Sequence, residues 1–151
     1  MNQQQQKISQ ADTIKPLSSV PLQTLLYFHY MYALYYFFME IILFFYKGYG
    51  LFYPASTMAN EIVRLFFFAV ISFVRIYFGG MGNKTESPKI MIGFLIISLF
   101  TLLGYFYFLS LQTYVLMLEF IIGIIGGVMV ILEILFSIFA LLAFKNFEKM
   151  H

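Results

Sequence analysis

Six charged side chains inside otherwise apolar runs, with one histidine, are the residues able to do chemistry: Glu40, Glu61, Arg64, Arg75, Glu119, Glu133 and, at neutral pH as a polar ring, His29. Intramembrane carboxylates and cations are candidates for proton or ion paths, or for ion pairs that set helix register. Catalytic constellations are missing from the pattern. There is no cysteine and only two histidines, so thiolate catalysis, thiolate metal sites and histidine metal clusters are excluded, and no cofactor is expected. Paired carboxylates within lipid, without a nucleophile or metal, make poor hydrolytic machinery, which argues against an enzyme. A net charge of +2 with no basic run argues against nucleic-acid binding.

The elements that position these groups follow from composition. Of 151 residues, 62% are hydrophobic and 11% charged, with a mean hydropathy of +0.85, far from the balance of a soluble domain. The expected architecture is an all-α integral membrane protein, a four-helix antiparallel bundle. Spans are expected at about residues 25–46, 56–78, 90–111 and 114–144, since a crossing takes roughly 20 apolar residues. Residues 1–24, with the glutamines Gln3 to Gln6, read as a flexible cytoplasmic tail. Residues 145–151 read as a short cytoplasmic tail. Gly79 to Lys89 reads as a loop.

At 100° per residue, Glu119, Gly123, Gly126, Val130, Glu133 and Ser137 share one stripe of the last span, and His29, Tyr32, Tyr36 and Glu40 share one side of the first. A carboxylate facing lipid costs at least ~2.5 kcal/mol, so both stripes are expected to face the bundle. Counting residues from the helix ends predicts two polar layers. The outer layer holds Glu40, Glu61, Arg64 and Glu119; the inner pairs Arg75 with Glu133 near His29. Three carboxylates against one arginine leave room for a proton, a lipid headgroup or a partner's cation. A hydrogen bond to a tyrosine or a backbone carbonyl is the expected state of His29. Gly123 and Gly127 form a Gly-x-x-x-Gly pair, with Gly126 beside them, permitting close helix approach.

Seven lysines and arginines (Lys7, Lys15, Arg75, Lys84, Lys89, Lys145 and Lys149) group towards the termini, against Lys47 and Arg64 at the other side. Positive charge stays in the cytoplasm, so both termini are expected there. The sequon Asn83-Lys84-Thr85 would then be unmodified.

The run Leu111-Gln112-Thr113-Tyr114-Val115-Leu116-Met117-Leu118-Glu119 closely resembles the family of transmembrane protein 216, small four-helix proteins of the ciliary transition zone. Further matching pieces are Leu17 to Leu22, Glu40, Tyr46-Lys47-Gly48, Tyr53-Pro54, Arg75 to Gly79, Gly82-Asn83, Glu133 and Ala143-Phe144. Met117 stands where the family's motif often has a basic residue. The resemblance implies an integral protein of the ciliary membrane at the base of the cilium. Its expected role is that of a non-enzymatic subunit of the Meckel and Joubert syndrome (MKS) complex, acting in ciliogenesis and in the barrier to membrane-protein entry. The implied partners are the lipid bilayer, bound lipids, tectonic-type proteins and related tetraspan subunits. The alternative from the carboxylates alone is a small proton- or ion-coupled channel or transporter.

Overall fold

The computed structural model describes residues 17–150 and contains, among them, four long helices joined by tight connections and no strand. Helix α1 is Val20–Gly50, α2 is Ala55–Lys84, α3 is Pro88–Phe106 and α4 is Met117–Met150. A π-helical turn, Tyr107–Leu111, extends α3. Each helix packs on its neighbours in sequence, and α1 closes the ring against α4. All four are long and apolar enough to cross a membrane. Residues 1–16 of the expected tail, and His151, lie outside the described residues.

Four element ends differ from expectation, and in addition α4 runs on to Met150 where a tail is expected from residue 145. Helix α1 begins five residues early because Ser19 caps it, its hydroxyl accepting from Leu22 N at 3.4 Å, with Pro21 in the first turn. It continues through Lys47 and Gly48 to Gly50, leaving only Leu51 to Pro54 as the connection. The presumed loop from Gly79 is helix as far as Lys84. Its glycines serve close packing: a Cβ on Gly79 would stand 2.7 Å from the Phe94 ring, and one on Gly82 3.2 Å from Met91 N. The motif run, in turn, enters helix only at Met117; Gln112 is extended, and the segment after it carries contacts to other helices.

Two apolar clusters fill the bundle. Leu22, Leu26, Ala33, Ile76, Met91, Phe94, Ala140 and Phe144 occupy the end nearer the termini. Tyr36, Phe44, Leu65, Phe68, Tyr105, Phe108, Ile122 and Val130 occupy the other. Outside, Tyr27, Phe38, Phe67, Leu103 and Phe139 are exposed, as lipid-facing side chains would be.

The terminal end is closed by a latch. Leu17 N and Ser18 N donate to Glu86 Oε1 at 2.7 and 3.0 Å. Ser19 N donates to Asn83 Oδ1 at 2.9 Å, while Asn83 Nδ2 returns a bond to Ser19 O at 2.8 Å. Glu86 adopts a left-handed φ of 50°, a strained conformation that these bonds hold in place. Asn83 is 1% exposed, and its amide nitrogen, the atom glycosylation would modify, is already engaged. The folded protein is therefore expected to show no mobility change on endoglycosidase treatment. Asn83→Ala, which leaves Ser19 N and O without their partners, is expected to lower stability by about 1–3 kcal/mol, read as a lower unfolding midpoint in detergent.

Candidate functional site: the intramembrane polar layers

The inner layer lies between the two apolar clusters, where α1, α2 and α4 each contribute one fully buried polar side chain, His29, Arg75 and Glu133. Arg75 Nη1 donates to Glu133 Oε2 as an ion pair. His29 Nδ1 is 2.8 Å from the other carboxylate oxygen, Oε1. An ionised carboxylate only accepts, so the tautomer that meets Glu133 carries its proton on Nδ1. Arg75 Nη2 lies 3.0 Å from Nδ1 and 3.4 Å from Nε2, so the guanidinium sits against the imidazole rather than in line with either nitrogen. The expected tyrosine or carbonyl partner for His29 is replaced by this carboxylate and guanidinium; the Tyr32 ring only touches it edge-on at 6.3 Å. Tyr32 instead donates to Ile122 O on α4. Arg75 also lies 5.5 Å from the Phe94 ring centre, a cation–π contact contributed by α3. One charge of each sign, locked across three helices, is an arrangement that sets register: sliding a helix by one turn would bury both unpaired.

The outer layer differs from the expected four-residue group. Its cation is Lys47, not Arg64. Lys47 Nζ pairs with Glu119 Oε1 at 2.6 Å, donates to Tyr114 O at 3.3 Å and lies 4.2 Å from the Phe44 ring centre. In the orientation that satisfies both ends of its amide, Gln112 accepts from Lys47 Nζ at 2.8 Å and donates to Phe108 O at 3.3 Å. The signal for Lys47 was its heptad spacing from Glu40, which places both on one face; its place among glycines made it look like a helix stop.

Glu119 does two jobs. Its second oxygen accepts from Leu116 N at 2.8 Å. That is the back-bond by which a glutamate in a helix's first turn satisfies the N–H preceding it.

Glu61 does not pair with Arg64. It accepts from Thr113 N at 3.0 Å, from Thr113 Oγ1 at 2.7 Å and from the Tyr53 hydroxyl. Burial and the Glu61 carboxylate together hold the Tyr53 hydroxyl, which lies in the α1–α2 connection, well above the ordinary tyrosine range. Arg64 points outward, donating to the Tyr107 hydroxyl. Glu40, 1% exposed, has no hydrogen bond to either carboxylate oxygen, and the Tyr36 hydroxyl one turn away is also unpartnered. The outer layer thus carries more acid than base.

The glycines divide by face. A Cβ on Gly126 would lie 2.5 Å from the Tyr105 ring, and one on Gly123 2.7 Å from Leu109, so both face α3 or its π turn. Gly127 meets nothing within 4 Å. The Gly-x-x-x-Gly pair is therefore split between the bundle and its outside. Gly126→Leu is expected to lose about 1–3 kcal/mol or more through overpacking, whereas Gly127→Leu leaves the unfolding midpoint of the isolated chain unchanged.

Four residues of the central motif meet the α1–α2 end of the bundle. Gln112, Thr113, Tyr114 and Glu119 contact Lys47, Tyr53 and Glu61, and the Tyr53 and Tyr114 rings meet edge-on at 5.2 Å. Leu111, Met117 and Leu118 are exposed. A family described as a predicted membrane protein (Transmemb_17) matches residues 24–132. Transmembrane protein 216 of Bos taurus is 35% identical over 138 residues, covering 90% of this chain and 96% of its own length. The chain belongs to the transmembrane protein 216 family. The Homo sapiens member is 32% identical over 135 residues, covering 87% of this chain and 91% of its own length. No solved structure matches the chain. These relatives are named as transmembrane proteins, and an integral membrane protein of this family is what the four apolar helices describe.

Proposed function

We propose that the protein is a non-enzymatic structural subunit of the ciliary transition-zone membrane complex. In this reading it supports cilium assembly and gating of ciliary membrane composition through helix–helix contacts, with both termini in the cytoplasm. The observation that carries the reading is how the polar groups are used. Arg75, Glu133, Lys47 and Glu119 are spent on each other inside the bundle, and the long helices turn outward mainly apolar and aromatic faces. Such a molecule offers binding surfaces. The resemblance read from the central motif implies the ciliary context, with tectonic-type and related tetraspan proteins as partners.

Affinity purification of tagged protein from ciliated cells in mild detergent, with imaging of the same tag, tests this. Expected are co-purified tectonic-type proteins and a ring at the ciliary base. A lone protein spread over other membranes would overturn the proposal. Gly127→Leu, which alters only an outward face, is expected to reduce partner recovery if that face is a contact.

One observation favours a second reading, a small proton- or ion-coupled channel: the unpartnered carboxylate of Glu40. It predicts pH-dependent flux from purified protein in liposomes, abolished by Glu40→Gln. Silence across a broad pH range removes it.

A further inference from the structure

Arg64 is an exposed cation in a membrane-spanning helix, and among the described residues no carboxylate pairs with it. Its partner is the hydroxyl of Tyr107, whose ring centre also lies 5.0 Å from the guanidinium carbon. A neutral hydroxyl and a ring face engage part of a five-donor fork and leave its charge without a counter-ion. An uncompensated arginine in hydrocarbon is strongly unfavourable even on the gentlest scale.

Depth decides what can supply the counter-charge. Helix α2 has 30 residues, or ~45 Å at ~1.5 Å per residue, against a hydrocarbon core of ~30 Å. A centred helix therefore keeps ~7 Å of each end among the headgroups. Arg64 lies nine residues after Ala55, which places its Cα only ~6 Å inside the hydrocarbon. Helical side chains lean towards their own N-terminus. For α2 that end is the near interface, so the long stem carries the guanidinium towards the headgroups. Tyr107 agrees on this level. It lies four residues before Leu111, where the third span ends, and it opens the π-helical turn, a local widening that recurs at functional sites.

We propose that Arg64 and Tyr107 form a binding site for the phosphodiester of a glycerophospholipid, on the outer face of the α2–α3 pair at the end away from the termini. Arg64 supplies charge and two further donors to the phosphate oxygens, in the geometry for which a guanidinium suits phosphate. Tyr107 holds the fork in place from below. Exposed Phe67 and Leu103, deeper on the same two helices, offer apolar surface to the acyl chains. A carboxylate on a partner's helix is the competing counter-ion, but the upward lean of the side chain favours the interface over mid-membrane.

The test is native mass spectrometry of the full chain in mild detergent, titrated with phosphatidylglycerol or with diacylglycerol of the same chains. The wild type is expected to retain phosphatidylglycerol under activation that strips diacylglycerol, and Arg64→Gln to weaken that retention about tenfold. Tyr107→Phe, which removes only the hydroxyl, is expected to give a smaller loss. It decides the matter should Arg64→Gln fail to fold. Equal retention in wild type and both variants would overturn the proposal. So would equal retention of diacylglycerol, or displacement of the lipid by millimolar inorganic phosphate, which would mark a free-anion site. Unchanged lipid retention with loss of a co-purifying membrane protein would assign Arg64 to a partner's carboxylate instead.

Discussion

Replacing Glu133 with leucine is expected to destabilise the bundle by about 3–5 kcal/mol, because it strands a fully buried guanidinium. The penalty arises less from the lost attraction than from the charge left behind. Arg75 would face the His29 ring and the Phe94 face, neither of which neutralises it. Replacing both charges at once, Arg75→Met with Glu133→Leu, is expected to recover most of the loss, since apolar side chains of similar volume need no partner. A residual deficit should remain from His29, which loses the acceptor for its Nδ1 proton. Equilibrium unfolding in mixed micelles, followed by helical circular dichroism, reads both variants. A single-mutant loss below about 1 kcal/mol would mean that Arg75 reaches water, and the buried-pair account of the inner layer would fail.

The second large effect belongs to Lys47→Met, again expected at about 3–5 kcal/mol. Lys47 is the cation of the outer layer, and it serves Glu119, Tyr114 O and Gln112 from one ammonium. Its removal leaves the acidic excess there without any counter-charge. Adding Glu119→Leu should restore only part of the loss, because Glu119 also bonds Leu116 N at the start of α4, a cap worth about 1 kcal/mol. Glu40→Gln is the informative contrast. Glu40 accepts no hydrogen bond that the substitution could break, and the change removes one of the like charges, so stability should hold or rise. A loss comparable to that of Lys47→Met would show instead that the Glu40 carboxylate has a counter-ion in solution, and would strengthen the channel reading.

The inner layer was legible because helices are regular. Glu133 and Arg75 are each nineteen residues from the expected starts of their spans, and a constant rise per residue converts such a count into depth. The outer layer was misread where regularity ends. Arg64 was assigned by depth alone, but depth does not give azimuth relative to neighbours, and its azimuth points outward to Tyr107. The glycines after Lys47 argue for a span ending at residue 46, but the helix runs four residues further, to Gly50. Arg64 is the cation nearest Glu61 in sequence, yet the donors to Glu61 are Tyr53 and Thr113, the latter fifty-two residues away.

Composition and periodicity by themselves determined that this chain crosses the membrane four times and turns its acidic stripe inward, since lipid penalises every exposed charge and every unpaired backbone group. Tertiary structure alone decided the partners. It made a latch of Leu17, Ser18 and Ser19 with Asn83 and Glu86, and a clamp of Lys47, Tyr53 and Glu61 with the run from Gln112 to Glu119. It also split the paired glycines between the inside and the outside of the bundle. The physical reason is common to all three. A hydrogen bond or an ion pair is made over about 3 Å, and only the packed rotation of each helix about its own axis brings side chains from distant parts of the chain that close.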